Sequence, residues 1–227
     1  MNSYSGSLNL FDLTHDLSPN TQVFPVHWHK QVSFEPLGTI ETVGRRTTQI
    51  HMGTHSGTHV DAPSHFLKDG LSISAMNLDR FVGSAISVDL SYFNEFEVVN
   101  ASDLEKLATD EWKNKILIFH FGWSQNFGED KYYSHQPYFS LDACEYLLTH
   151  SPRAIGYDIA MPDNPTDGYA SECDSPAHKL LLGAGIPLLE NLKISSALPM
   201  RFEIAFLPLK LIALDGSPVR CVGWTHD

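Results

Sequence analysis

A chain of 227 residues with 42% hydrophobic side chains is long enough to bury a full core without disulfide or metal staples. Its 15 Lys+Arg against 27 Asp+Glu leave a net charge of −12, which repels phosphate backbones and anionic membranes and so argues against nucleic acid and membrane partners.

In chain order, alternating or apolar runs rich in β-branched residues predict strands at 11–17, 32–37, 47–51, 85–90, 115–121, 154–159 and 202–214. Helices are fewer. Ser102-Asp103-Leu104-Glu105 is a capping-box signature for a short helix, and Ser140 is a cap for a second helix running to about Thr149. Ser175-Pro176 sets a cap before proline at the first helical position, with Gly183 and Gly185 ending that third helix. Residues 124–138 and 160–174 are long Pro/Gly/Asn/Asp-bearing connections of the kind that build or cover sites. No composition break, repeat or long linker divides the chain, so residues 1–227 are expected to form one α/β domain.

Three scattered cysteines, Cys144, Cys173 and Cys221, are an odd set that suggests reduced thiols rather than a disulfide framework. Residues 1–16 lack a basic stretch followed by a long apolar one, and no run of about eighteen apolar residues occurs. The expectation is a soluble, cytoplasmic protein.

The most informative segment is His55-Ser56-Gly57-Thr58-His59-Val60-Asp61-Ala62-Pro63-Ser64-His65, which packs three histidines and a carboxylate into eleven residues. Imidazole and carboxylate are ligands suited to Zn²⁺ and Mn²⁺, and the absence of thiolates leans towards a catalytic rather than a structural site. Gly57 allows a tight turn and Pro63 fixes φ, so the segment reads as strand and loop, unlike the helical His-Glu-x-x-His of metalloproteases. His51-Met52-Gly53-Thr54-His55 nearly duplicates the start of this motif, but only the second copy continues into x-Asp-x-Pro-x-His. The ligands are therefore placed at His55, His59 and Asp61, with His51 left as a strand residue or one behind the ligands.

The pattern His-x-Gly-Thr-His-x-Asp-x-Pro-x-His, matched at every specified position, resembles the signature of the cyclase-like metal-dependent hydrolases, the family of bacterial kynurenine formamidases and isatin hydrolase. Asp12-Leu13-Thr14-His15, Val23-Phe24-Pro25, Phe119-His120-Phe121-Gly122-Trp123, Ile155-Gly156-Tyr157-Asp158, Leu188-Leu189-Glu190-Asn191-Leu192 and the blocks around 207–210 and 217–220 extend the resemblance over nearly the whole chain. The resemblance implies that His55, His59 and Asp61 hold one divalent metal, Zn²⁺ or Mn²⁺. It further implies that Asp61 and Glu190 bridge, that His178 completes a second site, and that His65 is the general acid/base. It also implies an α/β fold of swivelling β/β/α type with a mixed, largely antiparallel sheet, and a homo-oligomer, dimer or tetramer, in which a neighbouring subunit helps close the pocket. Where the formamidases carry tryptophan before the proline of the N-terminal loop, this chain has Phe24, which keeps a stacking face for substrate and loses the indole donor.

The activity implied is hydrolysis of an aryl formamide or related amide, with N-formylkynurenine the leading small-molecule substrate. Opening of an isatin-like cyclic amide is the rival reaction, and a metal-stapled, non-catalytic binding protein is the rival class. Gly122-Trp123-Ser124-Gln125-Asn126 fails as a serine nucleophile elbow, and Cys144 is expected to pack inside a helix. Among the other aromatics Trp28 and Trp123 are further pocket candidates behind Phe24, and His27 and His29 are expected to face solvent as a pair.

Overall fold

The computed structural model describes residues 7–167 and 174–226, and Cys173 lies outside them. The strands are β1 (Leu8–Asp12), β2 (Ser33–Gly38), β3 (Thr47–His51), β4 (His59–Asp61), β5 (Val82–Asp89), β6 (Val98–Val99), β7 (Ile116–His120), β8 (Tyr138–Phe139), β9 (Ala154–Tyr157), β10 (Leu188–Glu190), β11 (Arg201–Ala205), β12 (Gly216–Pro218) and β13 (Val222–His226). The α-helices are α1 (Ile40–Val43), α2 (Ala101–Glu105), α3 (Leu141–Thr149) and α4 (Pro176–Gly183).

One sheet runs in the order β1-β13-β11-β5-β7-β9-β10-β4-β12. Its centre, β5-β7-β9-β10, is parallel, and both flanks are antiparallel. The centre explains its own sequence. Strand β7 reads Ile-Leu-Ile-Phe-His because both faces are covered, and parallel strands buried on both sides become near-continuous apolar runs. Leu117 and Phe119 join Ile155, Tyr157 and Leu188 in the core beneath α3 and α4, whereas Ile116 and Ile118 join Phe202, Ile204 and Leu189 on the opposite face. Each such fully buried side chain contributes about 1.5–3 kcal/mol. Helix α3 starts where Ser140 accepts from the Ala143 amide at 3.3 Å, and it buries Ala143, Cys144 and Leu147. The expected mixed, largely antiparallel α/β architecture with few helices is what forms.

Several element boundaries differ from those expected, each for a local reason. The run at 11–17 leaves the sheet after Asp12: Leu13 donates to the Cys221 carbonyl and Thr14 makes only a bridge to Leu192. The run at 202–214 breaks after Ala205, shortly before Pro208 removes a ladder donor, and the chain re-enters the sheet only beyond it, as β12. Helix α2 is opened by Asn100 rather than Ser102, with the Asn100 amide donating to Asp103 at 3.1 Å. Cys144 and Cys221 are free and buried.

Away from the sheet, β2 and β3 form a separate antiparallel hairpin joined through α1. It exposes Phe34, Leu37, Ile40, Val43 and Ile50. No helix among the described residues is long and apolar enough to cross a membrane.

Candidate active site

Strand β4 lies between β10 and β12, in register so that His59 faces Glu190 on one side and Pro218 on the other, while Asp61 faces Leu188 and Gly216. The strand's period of two turns His59 and Asp61 to one face and Val60 into the core on the other. Gly57, at φ +61°, makes the reversal that brings His55 back over this strand; a Cβ there would lie 2.6 Å from Leu17 Cδ2. Gly216 is equally tight. A Cβ at that position would meet the Val60 carbonyl at 2.8 Å and the His55 ring at 3.0 Å.

Two groups of three donors result, each with its ligand atoms within 4.8 Å of one another: His55, Asp61 and His65, and His59, Asp61 and Glu190. Asp61 belongs to both. Its Oδ1 lies 2.7 Å from His55 Nδ1 and 3.2 Å from His59 Nε2. His178, from the first turn of α4, brings Nε2 to 3.1 Å from Glu190 Oε1 and 3.6 Å from Asp61 Oδ2. The structure thus brings together all five expected ligands and His65, whose Nε2 is 4.0 Å from Asp61 Oδ2 and whose ring stacks on His55 at 3.9 Å between centroids.

Supporting groups that the sequence did not announce hold these rings. Asp215 accepts from His55 Nε2 at 2.8 Å and lies 3.5 Å from His65 Nδ1. Tyr157 donates to Glu190 Oε1 at 2.8 Å, His59 Nδ1 donates to the Gly57 carbonyl at 2.8 Å, and Asp163 accepts from His178 Nδ1 at 2.5 Å. Asn191 ties the floor together, donating to the Gly57 carbonyl at 3.0 Å and accepting from Tyr132 at 2.9 Å.

The electrostatics call for a cation. Burial lowers the His55 pKa, but Asp61 and Asp215 outweigh it and push it up to about 9. Burial likewise works against His59, which hydrogen bonds to Asp61 and Glu190 push up to about 10. Asp61 is raised by burial yet held well below the usual carboxylate range by the charges of His55 and His65. Ring protons thus balance the buried carboxylates, and a divalent ion supplies the same charge while taking the ring nitrogens unprotonated. Asp61 Oδ2 is buried without a hydrogen-bond partner, a position a cation would satisfy, and an all-imidazole and carboxylate donor set suits Zn²⁺ or Mn²⁺. The residues present fit a divalent metal.

Above the cluster is a cavity of about 290 Å³ whose walls include Phe24, Val26, Trp28, Phe66, Tyr133 and Met161. Phe24 meets Tyr133 edge-on at 5.4 Å. The expected His27/His29 pair is split: His27 is exposed beside Trp28, whereas His29 lines the cavity with its ring parallel to His55 at 6.4 Å. Trp123 is core, its Nε1 donating to the Tyr132 carbonyl at 3.0 Å, and takes no part in the cavity. His51 is an exposed β3 residue 3.4 Å from Glu35, outside both donor groups.

Residues 11–164 match the family described as "Putative cyclase". The kynurenine formamidase of Geobacillus thermodenitrificans is 32% identical over 179 residues, covering 76% of this chain and 77% of that one. The kynurenine formamidase of Bacillus cereus is 30% identical over 220 residues, covering 93% and 95%. In fold, the crystal structure of an isatin hydrolase bound to the product analogue thioisatinate superposes with a TM-score of 0.85 at 23% identity, covering 97% of this chain and 93% of that one.

Proposed function

We propose, since this chain belongs to the cyclase family, that it is a metal-dependent amide hydrolase acting on C–N bonds other than peptide bonds, with an aryl formamide as substrate and N-formylkynurenine the first candidate. The observation that carries the reading is one buried carboxylate, Asp61, shared by two imidazole-containing donor groups at the floor of an aromatic-walled cavity. His55, His59 and Asp61 would hold one Zn²⁺ or Mn²⁺ ion, and Asp61, His178 and Glu190 a second. When bound, such an ion supplies Lewis acidity and a nucleophilic water at neutral pH.

The chain's own residues do the rest. The walls at Phe24, Phe66 and Tyr133 take the aryl ring and exclude water, and a space of about 290 Å³ suits one substituted ring. His65 lines the same cavity, with one nitrogen towards Asp61 and the other towards Asp215. In this reading it removes the proton from the attacking water and delivers one to the leaving aryl nitrogen, a task suited to imidazole near neutral pH. Residues 1–227 would work as one cytoplasmic hydrolase domain. A homo-oligomer, dimer or tetramer, is supported by the β2–β3 hairpin, which among the described residues leaves Phe34, Leu37, Ile40, Val43 and Ile50 exposed.

Ring opening of an isatin-like cyclic amide uses the same donors and is the second reading, favoured by the likeness in fold. Steady-state hydrolysis of N-formylkynurenine and of isatin, by protein loaded with Zn²⁺ or Mn²⁺ and by a chelator-stripped control, separates the readings. Metal-dependent turnover of the formamide is expected. Turnover of isatin alone moves the assignment to cyclic amides, and metal-dependent melting without turnover of any amide leaves a binding protein.

A further inference from the structure

His178 differs from His59 in what orients it. The His59 ring is fixed by a backbone carbonyl, that of Gly57, whereas the His178 ring is fixed by the side chain of Asp163, fifteen positions earlier in the loop after β9. Asp163 is 3% exposed and makes three contacts with the start of α4. One oxygen, Oδ1, accepts from the Ala177 amide at 2.6 Å. The other, Oδ2, accepts from the His178 amide at 3.2 Å and from His178 Nδ1 at 2.5 Å. Ser175, the cap expected from the sequence, turns its hydroxyl to Asp174 instead.

A carboxylate only accepts, so it holds the ring proton on Nδ1 and leaves Nε2 as the atom turned towards Glu190 and Asp61. The Phe66 ring, 4.7 Å away and tilted 34°, packs against the imidazole and restricts its rotation. We propose that Asp163 is a positioning residue: it couples the start of α4 to the tautomer and rotamer of His178, and thereby decides whether a second divalent ion is retained beside the first. This rests on the reading of His178 and Glu190 as ligands. It is independent of which amide is cleaved.

The informative substitution is Asp163→Asn. An amide whose oxygen stays on the Ala177 N–H keeps that bond, gives up the one from the His178 N–H, and presents an NH₂ donor to Nδ1. The ring then accepts at Nδ1 and carries its proton on Nε2, facing the ion position. Chelator-stripped protein titrated with Zn²⁺, read by calorimetry and by metal analysis after dialysis, should retain two ions per wild-type chain. Asp163→Asn should keep the first ion and weaken the second by about 10–100-fold. His178→Ala, which removes the ring and leaves the cap, should show the same one-ion count. In Zn²⁺-loaded protein, ¹⁵N imidazole shifts should report His178 protonated at Nδ1 alone in the wild type.

Two ions held with unchanged affinity by Asp163→Asn, equal weakening of both ions, or a wild type that retains one ion would overturn the proposal. If the variant does not fold, an Nε2-protonated His178 in the wild type overturns it, and Nδ1 protonation with one ion in His178→Ala upholds it. None of these readouts needs a substrate, so a wrong substrate assignment and a wrong role for Asp163 are told apart.

Discussion

The two sides of Asp61 differ in how much water reaches them. On one side His55, His65 and Asp215 have side chains 10%, 25% and 38% exposed. On the other, His59, His178, Glu190 and Asp163 lie between 3% and 6%. Beside the ligand His55, the open side has what proton traffic needs: His65 in reach of solvent and Asp215 to orient it. The closed side has what ion retention needs, since low dielectric strengthens each charge–charge contact and Tyr157 and Asp163 orient the donors. One carboxylate joins two environments, and the division of labour follows from burial more than from residue type.

The sharpest way to break this comparison is at the shared residue. Asp61→Asn should abolish turnover and reduce affinity for both ions by more than the roughly 10–100-fold expected from losing an orienting partner; metal content after dialysis checks it. On the open side alone, His65→Ala should leave metal content intact while kcat falls by about 10²–10⁴-fold. Loss of metal in that variant would mean that His65 is a ligand and that the two sides are not separate.

The dry side extends to the wall behind it, where Thr58 accepts from the His15 amide at 2.9 Å and donates to the Asn191 carbonyl at 2.6 Å. Burial, aided by Lys193, lowers the His15 pKa to about 4. A depressed histidine contributes stability that is present above its unfolded pKa of about 6.5 and is lost as pH falls through about 4. Denaturant unfolding at pH 7.5 and pH 4 should therefore show wild type losing up to about 3 kcal/mol relative to His15→Phe. That variant keeps the stack on Phe127, now 3.8 Å between centroids. Parallel pH profiles would show that this wall is wet. The smallest effect is expected at the cavity rim: Phe24→Trp adds an indole donor and should lower KM for an aryl formamide by about 3-fold, with kcat unchanged. An unaltered KM would remove Phe24 from contact with substrate.

Legibility in the sequence followed the range of the interactions. Local signals were readable: the alternation of β3, the Ser140 cap of α3, and the turn chemistry of Gly57 that lets residues 55–61 converge. His178 and Glu190 came only from the family pattern, because nothing in a lone helical histidine or a strand glutamate marks it as a ligand. Asp215 and Asp163 carried no signal, and Tyr157 only its place in a family block, since each acts through a contact between separate elements, 160 residues apart for Asp215 and His55. Alternation also misled where a chain leaves the sheet, as at Leu13, because periodicity records which face a side chain prefers and not where a partner strand ends. His29 entered the cavity and His27 did not because the bend at 25–28 breaks the extended geometry that would have kept them on one face.

The placing of β4 between β10 and β12 also sets an order of events. Synthesis delivers the His55–Asp61 segment long before Glu190, Asp215 and Gly216 exist, and closing contacts of such separation is the slow part of folding. Until both neighbouring strands arrive, the early histidines have neither the opposing carboxylate nor the groove that orients them. A divalent ion held by the complete donor set would therefore bind the finished fold, adding stability by mass action in proportion to the logarithm of its free concentration, and would reward chains that have completed their C-terminal strands over those that have not.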